Sequence, residues 1–455
     1  MPTIRGPAVA GMFYPSDPAV LQPMVARFIE AGTVLARPYK AVIAPHAGYP
    51  YSGPVAGTVY GALRPLAAQI RRVVLLGPAH RHGFGGIAIP SEEGMATPLG
   101  VVPLDRPTLD SLLDIPGVLA ADGAFAGEHS LEVHLPFLQQ VLTDFTLVPL
   151  LVGGASPQLV DAVLERVWGG PETLIVVSSD LSHYHSYDDA RRIDLQTSQA
   201  IESLQPGKLS GNLACGFIAI SGLLRRAAAL DLRATTLDLR TSGDTAGERS
   251  QVVGYGAYGF EDAATARLAA PHRQQLIEAV RRGLEHAAAT GKALAVDAGE
   301  YPMPLRALRA TFVTLTQAGE LRGCIGSILP HQPLIADVVQ NCFRAAMQDP
   351  RFGAISRDEV GRTDVSISIL SHPRPMAFRG TADLIALLRP HVDGLILTDG
   401  DRQSLFLPKV WEMLPDPALF VAHLKQKGGM AADHDSPTLQ AYRFTTETFP
   451  EGTAC

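Results

Sequence analysis

The sequence contains 455 residues, a length that suits two or three domains with separate cores, and we expect two. Hydrophobic residues make up 46% of the chain and charged residues 18%, which is typical of a folded globular protein rather than a disordered one. The formal net charge of −7, without a cluster of lysine and arginine, argues against a nucleic-acid partner, because phosphate binding needs concentrated positive charge.

The first half of the chain alternates between strand-like and helix-like segments. Short runs rich in β-branched residues are separated by segments with helical spacing, such as 54–70 and 156–168; the runs lie at 40–45, 71–77, 145–153 and 172–179. This alternation predicts an α/β fold, with a mostly parallel sheet flanked by helices. A last strand is expected at 250–260, followed by an alanine-rich polar stretch that contains a proline. We therefore place a domain boundary near 262–270.

The second half has a different pattern. An amphipathic helix is expected first, and β-rich runs flanking glycine-containing turns then predict two hairpins; the expected elements are helices at 273–289 and 334–349, hairpins at 309–328 and 394–408, and a strand at 364–371. These elements indicate a smaller α+β domain. The predicted domains are therefore residues 1–262 and 268–455.

The cysteines and the N-terminus indicate the compartment. The sequence has four unevenly placed cysteines without a CxxC pair, which argues against a disulfide framework and a zinc finger; they are Cys215, Cys324, Cys342 and Cys455. The first residues do not combine a basic segment with an apolar one, and no apolar run approaches about 18 residues. We expect neither export nor a membrane span, and a cytoplasmic protein with reduced thiols.

Three of the strand-like runs in the first half end in a segment that carries histidine. His46 follows the first run and His80 the second, whereas Asp180 and His183 follow the run at 172–179. The loops after the carboxyl ends of parallel strands share one edge of the sheet, where ligands bind. A single histidine in such a loop is usually a surface or core residue, but three equivalent positions favour a site, and imidazole is a common metal ligand.

Cys215 adds a thiol to these histidines. It precedes a long helical pattern, and a helix N-terminus would lower its pKa. The alternative is a buried structural cysteine. A site of two histidines and one cysteine with an open position is compatible with iron, copper or zinc, because a soft sulfur ligand disfavours magnesium and calcium.

The segment at 127–140 carries further groups suited to acid and base chemistry. Helical spacing would place Glu128, His129 and Glu132 on one face, where they could orient a metal-bound imidazole or transfer protons. The alternative is a solvated helix N-terminus rich in carboxylates.

Together these segments resemble the Memo family, also called AmmeMemoRadiSam system protein B, over residues 4–260. The resemblance is carried by eight motifs in order: RGPAVAGMFYPSDP, APHAGYPYSGPVAG, LLGPAHRHG, TPLG, EHSLEVHLPFLQ, VVSSDLSHY, ACGF and SGDTAGERSQVVGYGAYG. That family is similar to class III extradiol dioxygenases of the LigB type, which are non-haem iron enzymes that open catechol-like rings. A dioxygenase-like fold for the first domain is therefore implied.

The resemblance implies a metal pocket formed by His46, His80 and Cys215, with Asp180 and His183 alongside. The carboxylate ligand expected in a dioxygenase is replaced by Cys215, so ring cleavage does not carry over. We predict catalytic roles for Asp180, His183 and His129, the last of these from the motif at 127–140.

The second half resembles the AMMECR family, AmmeMemoRadiSam system protein A, over about 270–450, chiefly through the motif LRGCIG at 321–326. Arg322 and Cys324 lie in this glycine-bounded strand, where Gly323 and Gly326 would permit close approach by a ligand or another chain. They form a candidate binding surface; the alternative is internal packing. The system's name also implies a radical-SAM enzyme as a partner, and this chain lacks the CxxxCxxC cluster motif of such an enzyme.

Two functions remain open from the sequence. One is a redox-active metalloenzyme with iron or copper, or alternatively zinc, acting on oxygen or on a small-molecule substrate. The other is an adaptor whose pocket binds a peptide or a partner protein. A metal-assisted hydrolase is a third option. Fusion of the two domains favours a shared function, because tethering raises the effective concentration of one domain near the other.

Overall fold

The structure is a computed structural model and describes residues 3–32 and 37–451, so Cys455 lies outside the described residues. The chain divides into two compact units, Met1–Ala266 and Arg267–Cys455. The division falls inside the stretch 262–270. Within the described ranges, none of the helices has both the length and the apolar character that a membrane crossing requires.

The first unit is built from twelve described strands and nine described α-helices. The strands are β1 (Ile4–Arg5), β2 (Ala41–Ala44), β3 (Arg72–Pro78), β4 (Ile87–Ile89), β5 (Gly94–Thr97), β6 (Gly100–Pro103), β7 (Val118–Ala120), β8 (Thr146–Val152), β9 (Thr173–Ser178), β10 (His183–His185), β11 (Leu232–Thr241) and β12 (Val252–Asp262). The helices are α1 (Pro18–Ala31), α2 (Tyr49–Leu63), α3 (Arg106–Leu112), α4 (Asp122–Phe125), α5 (Leu135–Val141), α6 (Pro157–Val167), α7 (Tyr187–Glu202), α8 (Phe217–Ala229) and α9 (Ser242–Thr245).

The central sheet has nine strands in the order β10-β12-β2-β9-β3-β8-β4-β7, and β11 also pairs with β12. The four strands β2, β9, β3 and β8 are mutually parallel, whereas β12 joins β2 and β4 joins β8 in antiparallel pairs. Every residue of β2 and β9 is buried, as expected for parallel strands covered on both faces. The α/β prediction for this half is confirmed.

The order of the parallel strands determines where the site forms. β9 lies between β2 and β3, with Ala44 opposite Ser178 and Leu76 opposite Val177, so the three strands end at the same level. The segments that follow them therefore leave the sheet from one edge, side by side.

The prediction that Glu128, His129 and Glu132 share one face of a helix at 127–140 is wrong. A 3-10 turn begins only at Glu132 and α5 only at Leu135. The Glu128 carboxylate accepts hydrogen bonds from the backbone N–H groups of His129 and Ser130. A side chain that bonds its own neighbouring backbone competes with helix formation, so this segment is a turn.

Glu132 instead anchors the N-terminal segment of the unit. Its fully buried carboxylate accepts hydrogen bonds from Arg5 Nη1 at 2.9 Å, from the Val9 backbone at 2.9 Å and from the Tyr14 hydroxyl at 2.7 Å. A buried carboxylate is tolerated when it is paired and hydrogen-bonded, so this contact fixes the first residues against α5 and its preceding turn.

The second unit contains two four-stranded antiparallel sheets, in the orders β14-β13-β15-β20 and β16-β19-β17-β18. Its strands are β13 (Thr311–Gln317), β14 (Glu320–Gly326), β15 (Asp364–Leu370), β16 (Arg374–Pro375), β17 (Gly394–Asp399), β18 (Arg402–Phe406), β19 (Gln440–Phe444) and β20 (Thr446–Pro450). Its helices are α10 (Ala270–Thr290), α11 (Met303–Arg306), α12 (Leu334–Met347), α13 (Arg357–Val360), α14 (Gly380–Leu387) and α15 (Pro417–Lys427). The smaller α+β fold and both predicted hairpins are confirmed.

Candidate metal centre

Three potential metal ligands from separate segments meet at the edge of the central sheet. His46 follows β2, His80 follows β3, and Cys215 precedes α8. One ligand atom of each lies within 4.8 Å of those of the other two, and Cys215 Sγ is 3.4 Å from His46 Nε2. The three residues that the sequence predicted as metal ligands are therefore adjacent in space.

His46 is held in one orientation by a serine that the sequence did not single out. Its Nδ1 lies 2.6 Å from Ser178 Oγ, and this hydroxyl donates to the Ser130 carbonyl at 2.6 Å. The Ser178 hydroxyl has one proton, and it donates that proton in the hydrogen bond to the Ser130 carbonyl. Ser178 Oγ must therefore accept a hydrogen bond from the His46 ring, which places the imidazole proton on Nδ1. His46 Nε2 is left unprotonated and faces Cys215, as a ligand nitrogen must be.

Glu128 plays the corresponding role for His80. Its Oε1 lies 3.2 Å from His80 Nδ1, and its Oε2 accepts the His80 backbone N–H at 2.6 Å. Burial acts to raise the pKa of Glu128, but hydrogen bonds from the His80 ring and from the backbone of Ser130 and His80 outweigh it and lower this pKa to about 2. The carboxylate therefore stays ionised and orients His80 with its second nitrogen free.

Cys215 lies near a helix N-terminus, but its pKa shifts in the opposite direction to the prediction. Gly216 caps α8, and Cys215 Sγ accepts the Asp180 backbone N–H at 3.3 Å. Burial, together with the neighbouring Asp180, raises the pKa of this thiol to about 12. The prediction of a lowered pKa is wrong, because the loss of solvation outweighs the helix end. A thiolate at this position requires a cation beside it.

His129 completes a cluster of three imidazoles. Its ring stacks on His80 with centroids 4.8 Å apart and meets His46 edge-on at 5.5 Å. His129 Nδ1 is buried and, among the described residues, has no hydrogen-bond partner, although Glu128 Oε1 lies at 3.3 Å. Burial lowers the pKa of His129 to about 4, so the ring is neutral near pH 7.

Asp180 and His183 both follow β9 in the chain, and Asp180 contacts His46 directly. Asp180 Oδ1 accepts the His46 backbone N–H at 2.8 Å, and its Oδ2 is 3.9 Å from His46 Nε2. Burial raises the pKa of Asp180 to about 7, so this carboxyl exchanges a proton near neutral pH. The loop position expected for His183 is wrong: it begins β10 and pairs with Val253 of β12. Burial lowers its pKa.

Arg322 and Cys324 lie in β14 of the second unit, and both are engaged locally. Arg322 Nε donates to Glu359 Oε1 at 2.9 Å, and Cys324 Sγ lies 3.3 Å from Thr314 Oγ1. The glycines of the LRGCIG motif are approached by this chain itself rather than by a ligand.

A β-carbon added at Gly323 would overlap the Ala345 backbone carbonyl, and one added at Gly326 would overlap the Phe312 ring. The expectation that these glycines leave room for a ligand or another chain is therefore wrong, because α12 and β13 occupy that room. The binding role of Arg322 and Cys324 stays a prediction.

The α/β domain of the first unit gathers two oriented imidazoles and a thiol at the edge of a parallel sheet, and these residues form a candidate metal-binding group. Residues 5–258 match the family model of the Memo-like proteins, and residues 277–449 match that of AMMECR1. The chain belongs to the Memo-like family, and it joins a Memo-like domain to an AMMECR1 domain.

Similar proteins each cover a part of this chain. Proteins named as MEMO1 family members from Archaeoglobus fulgidus, Methanosarcina acetivorans and Aquifex aeolicus are each 34% identical; the matches cover 56%, 56% and 55% of this chain and 99%, 98% and 97% of theirs. Among solved structures, an uncharacterized protein from Pyrococcus horikoshii is 28% identical, with a TM-score of 0.36, over 39% of this chain and 90% of that one.

Proposed function

We propose that the Memo-like domain binds one redox-active transition metal ion, iron or copper, at His46, His80 and Cys215, and uses it on oxygen or on a small organic substrate. The observation that carries the proposal is the meeting of three ligand atoms from three segments within 4.8 Å. Chance grouping of two imidazoles and a thiol at this edge is much less common than a single histidine there.

The chemistry of the residues fits such an ion. Burial and the neighbouring histidines hold the pKa of His46 well below its usual range, which keeps the ring neutral and available for coordination. Two nitrogens and one sulfur favour iron, copper or zinc over magnesium and calcium. When bound, iron or copper would supply one-electron chemistry or oxygen activation, whereas zinc would supply only Lewis-acid chemistry.

The chain's own residues would move the protons. Asp180, with a pKa of about 7, holds or releases a proton at Oδ2, 3.9 Å from His46 Nε2. His183 and His129 are neutral imidazoles near the centre, since burial lowers the pKa of both; with a pKa of about 4, His129 is a weak base and would act on a substrate through a hydrogen bond, whereas His183 would accept a proton. Glu128 and Ser178 are positioning residues, because they act through His80 and His46.

The first test is metal analysis of the full chain purified without oxygen. We expect about one transition metal ion per chain, with a loss of that metal in His46→Ala, His80→Ala and Cys215→Ala. Matched controls are His82→Ala, which removes an exposed histidine from the His80 segment, and Cys324→Ser, which changes a thiol of the other unit. Full occupancy in all three ligand variants, with the fold intact, would contradict the assignment.

The second test separates an enzyme from an adaptor. Asp180→Asn and His183→Ala should keep metal content and melting temperature nearly unchanged while abolishing metal-dependent turnover with oxygen or a reductant. The wild-type protein is loaded with iron and, separately, with copper. Absence of turnover in both forms would contradict the assignment of an enzymatic function. If these variants then lose binding to a partner protein, the adaptor is the correct function.

We further propose that the two domains work together in the cytoplasm, with a radical-SAM enzyme of the AmmeMemoRadiSam system as partner. The fusion supports this proposal, because a tether raises the effective concentration of one domain near the other. Co-purification of the full chain with the radical-SAM enzyme, and its loss when residues 268–455 are removed, tests it.

A further inference from the structure

Two described cysteines of the second unit differ in their surroundings. Cys342 is fully buried in α12, where burial raises the pKa of its thiol to about 12, so this cysteine serves packing. Cys324, in β14, is half-buried, and its cross-strand neighbour in β13 is Thr314. A thiol that solvent can reach beside polar groups is able to react, whereas a thiol in an apolar core is inert.

Cys324 and Thr314 share the face of the sheet that points away from α12. Val313 and Leu315, on either side of Thr314, are buried in the core that includes α12, and side chains alternate along a strand. Cys324 Sγ lies 3.3 Å from Thr314 Oγ1, and this hydroxyl has no other hydrogen-bond partner in the part of the chain that the structure describes. The hydroxyl is therefore free to donate to the sulfur.

Lys427, at the end of α15, brings a positive charge to the same thiol. Its Nζ donates to the Leu405 carbonyl at 2.8 Å and lies 5.1 Å from the centre of the Phe406 ring. Burial lowers the pKa of Lys427, and the neighbouring Cys324 acts against that fall. Within residues 3–32 and 37–451, no carboxylate forms an ion pair with this ammonium group. A thiolate at Cys324 would supply the missing countercharge.

A separate ion pair holds the backbone of Cys324 in place. The Cys324 N–H donates to Asp349 Oδ2 at 2.9 Å, and its carbonyl accepts from Arg351 Nη2 at 3.3 Å. Asp349 and Arg351 are themselves paired at 2.7 Å, so the charge of this arginine is already neutralised. The main chain thus presents the sulfur to Thr314 and Lys427 in a fixed position, as a functional group requires.

We propose that Cys324 is a reactive thiol that forms a mixed disulfide with a small-molecule disulfide, and that Lys427 and Thr314 hold it as the thiolate. The reagent must be small, because the thiol is half-buried. The proposal concerns the second unit alone and does not depend on the metal centre. A packing role would require neither an ammonium group without a carboxylate partner nor an uncommitted hydroxyl at the sulfur.

The reaction is a thiol–disulfide exchange. The Cys324 thiolate attacks one sulfur of the disulfide, so that a new S–S bond forms to Cys324 while the S–S bond of the reagent breaks. The other half of the reagent leaves as a thiolate and takes a proton from water. Cys324 is oxidised to the mixed disulfide and the leaving half is reduced to a thiol, so the reagent is the oxidant and no further reactant is needed. A free thiol reverses the step.

The test follows each cysteine of the full chain by peptide mass spectrometry after reaction with hydroxyethyl disulfide and an acid quench. In an unfolded chain only a few per cent of an ordinary cysteine is thiolate at about pH 7, so Cys324 should react about tenfold faster in the folded protein than in urea. Cys342 should react only in urea. A rate for Cys324 in the folded protein equal to or below its rate in urea overturns the proposal.

Variants identify the groups that activate the thiol. Lys427→Met removes the charge and should slow the reaction of Cys324 about tenfold, whereas Lys427→Arg should restore most of the rate. Lys409→Met, which removes an exposed lysine of the same unit, is the matched control and should have no effect. Thr314→Val removes the hydroxyl and should slow the reaction about fivefold, which keeps the test valid if Lys427→Met does not fold. Reaction of Cys324 at the wild-type rate in every folded variant of Lys427 and Thr314 overturns the proposal.

Discussion

Ser178→Ala tests how the centre is prepared for a metal. In the folded protein Ser178 Oγ accepts a hydrogen bond from His46 Nδ1–H and donates one to the Ser130 carbonyl, each at 2.6 Å. The substitution removes both hydrogen bonds and leaves a buried N–H group and a buried carbonyl without this partner. Ser178 does not touch the ligand face of His46, so the variant keeps all three ligands.

The expected magnitudes follow from these contacts. Each hydrogen bond between neutral groups contributes about 1 kcal/mol net, and an unpaired buried polar group costs about 1–3 kcal/mol, so the free energy of unfolding should fall by about 1–3 kcal/mol. Loss of a group that orients a metal-bound imidazole weakens metal binding by about 10- to 100-fold. At about 1.4 kcal/mol per factor of ten, that is about 1.4–2.8 kcal/mol of binding free energy.

The assay is competition for the metal against a chelator of known affinity, with thermal melting of the metal-free protein alongside. Ser404→Ala is the matched control, because Ser404 is also buried, at 3% exposure, and its hydroxyl has no hydrogen-bond partner among the described residues. It should leave metal affinity unchanged. If Ser178→Ala melts lower but binds metal within about twofold of the wild type, Ser178 serves packing only and the argument from the His46 proton is wrong.

Three further predictions concern folding. Fragments 1–262 and 268–455 should each be soluble and unfold cooperatively, since each half encloses its own core; aggregation of both while the full chain behaves well would contradict this. Burial raises the pKa of Asp194 from 3.8 to about 6, so its contribution to stability is complete below about pH 4 and is lost as the pH rises through 6. Relative to the wild type, Asp194→Asn should gain about 3 kcal/mol in the free energy of unfolding between pH 4 and pH 7, measured by urea titration; a pH-independent difference would contradict the shift. Gly323→Ala should lower the unfolding midpoint of the second unit strongly, because the new methyl group overlaps a backbone carbonyl of α12. The control is Gly361→Ala, whose methyl group meets open space, and equal midpoints for the two variants would contradict the overlap at Gly323.

The convergence of His46, His80 and Asp180 could be predicted because it depends on periodicity and strand order, whereas Cys215 precedes a helix and was placed beside them through the family resemblance. Parallel strands buried on both faces are continuous apolar runs, which the sequence displays directly. His46, His80 and Asp180 each follow such a run, and the three strands concerned are neighbours in the sheet. The rule that loops after parallel strands share an edge was therefore sufficient to place them together.

The pairing of each ligand with the group that orients it could not be predicted, because the two partners are distant in the chain. Ser178 lies 132 residues from His46, and Glu128 lies 48 residues from His80. A serine at the end of a strand carries no signal of such a contact. Glu128 was proposed from the sequence as a group that could orient a metal-bound imidazole, but from a helical face that does not form, and the sequence did not indicate His80 as its partner. The pKa of Cys215 was mispredicted for a related reason: the helix start is visible in the sequence, whereas the burial that outweighs it is a property of the packed structure.

The same limit applies to the second unit. The glycines of the LRGCIG motif were correctly recognised as positions of close approach, but sequence alone does not show what approaches them. The structure places α12 and the Phe312 ring there, so part of the motif is explained by packing within the domain.

The distance along the chain between the ligands has a consequence for biosynthesis. His46 and Cys215 are 169 residues apart, and β12, at 252–262, pairs with β2 beside the site. At about 5–20 residues per second, a ribosome takes on the order of ten seconds or more to pass from one ligand to the other. During that interval the histidines are on a growing chain that has no thiol to pair with them. If the proposed metal assignment is correct, its full ligand set exists only once Cys215 has been made, and stalled chains that end before Cys215 should bind the metal more weakly than the finished domain.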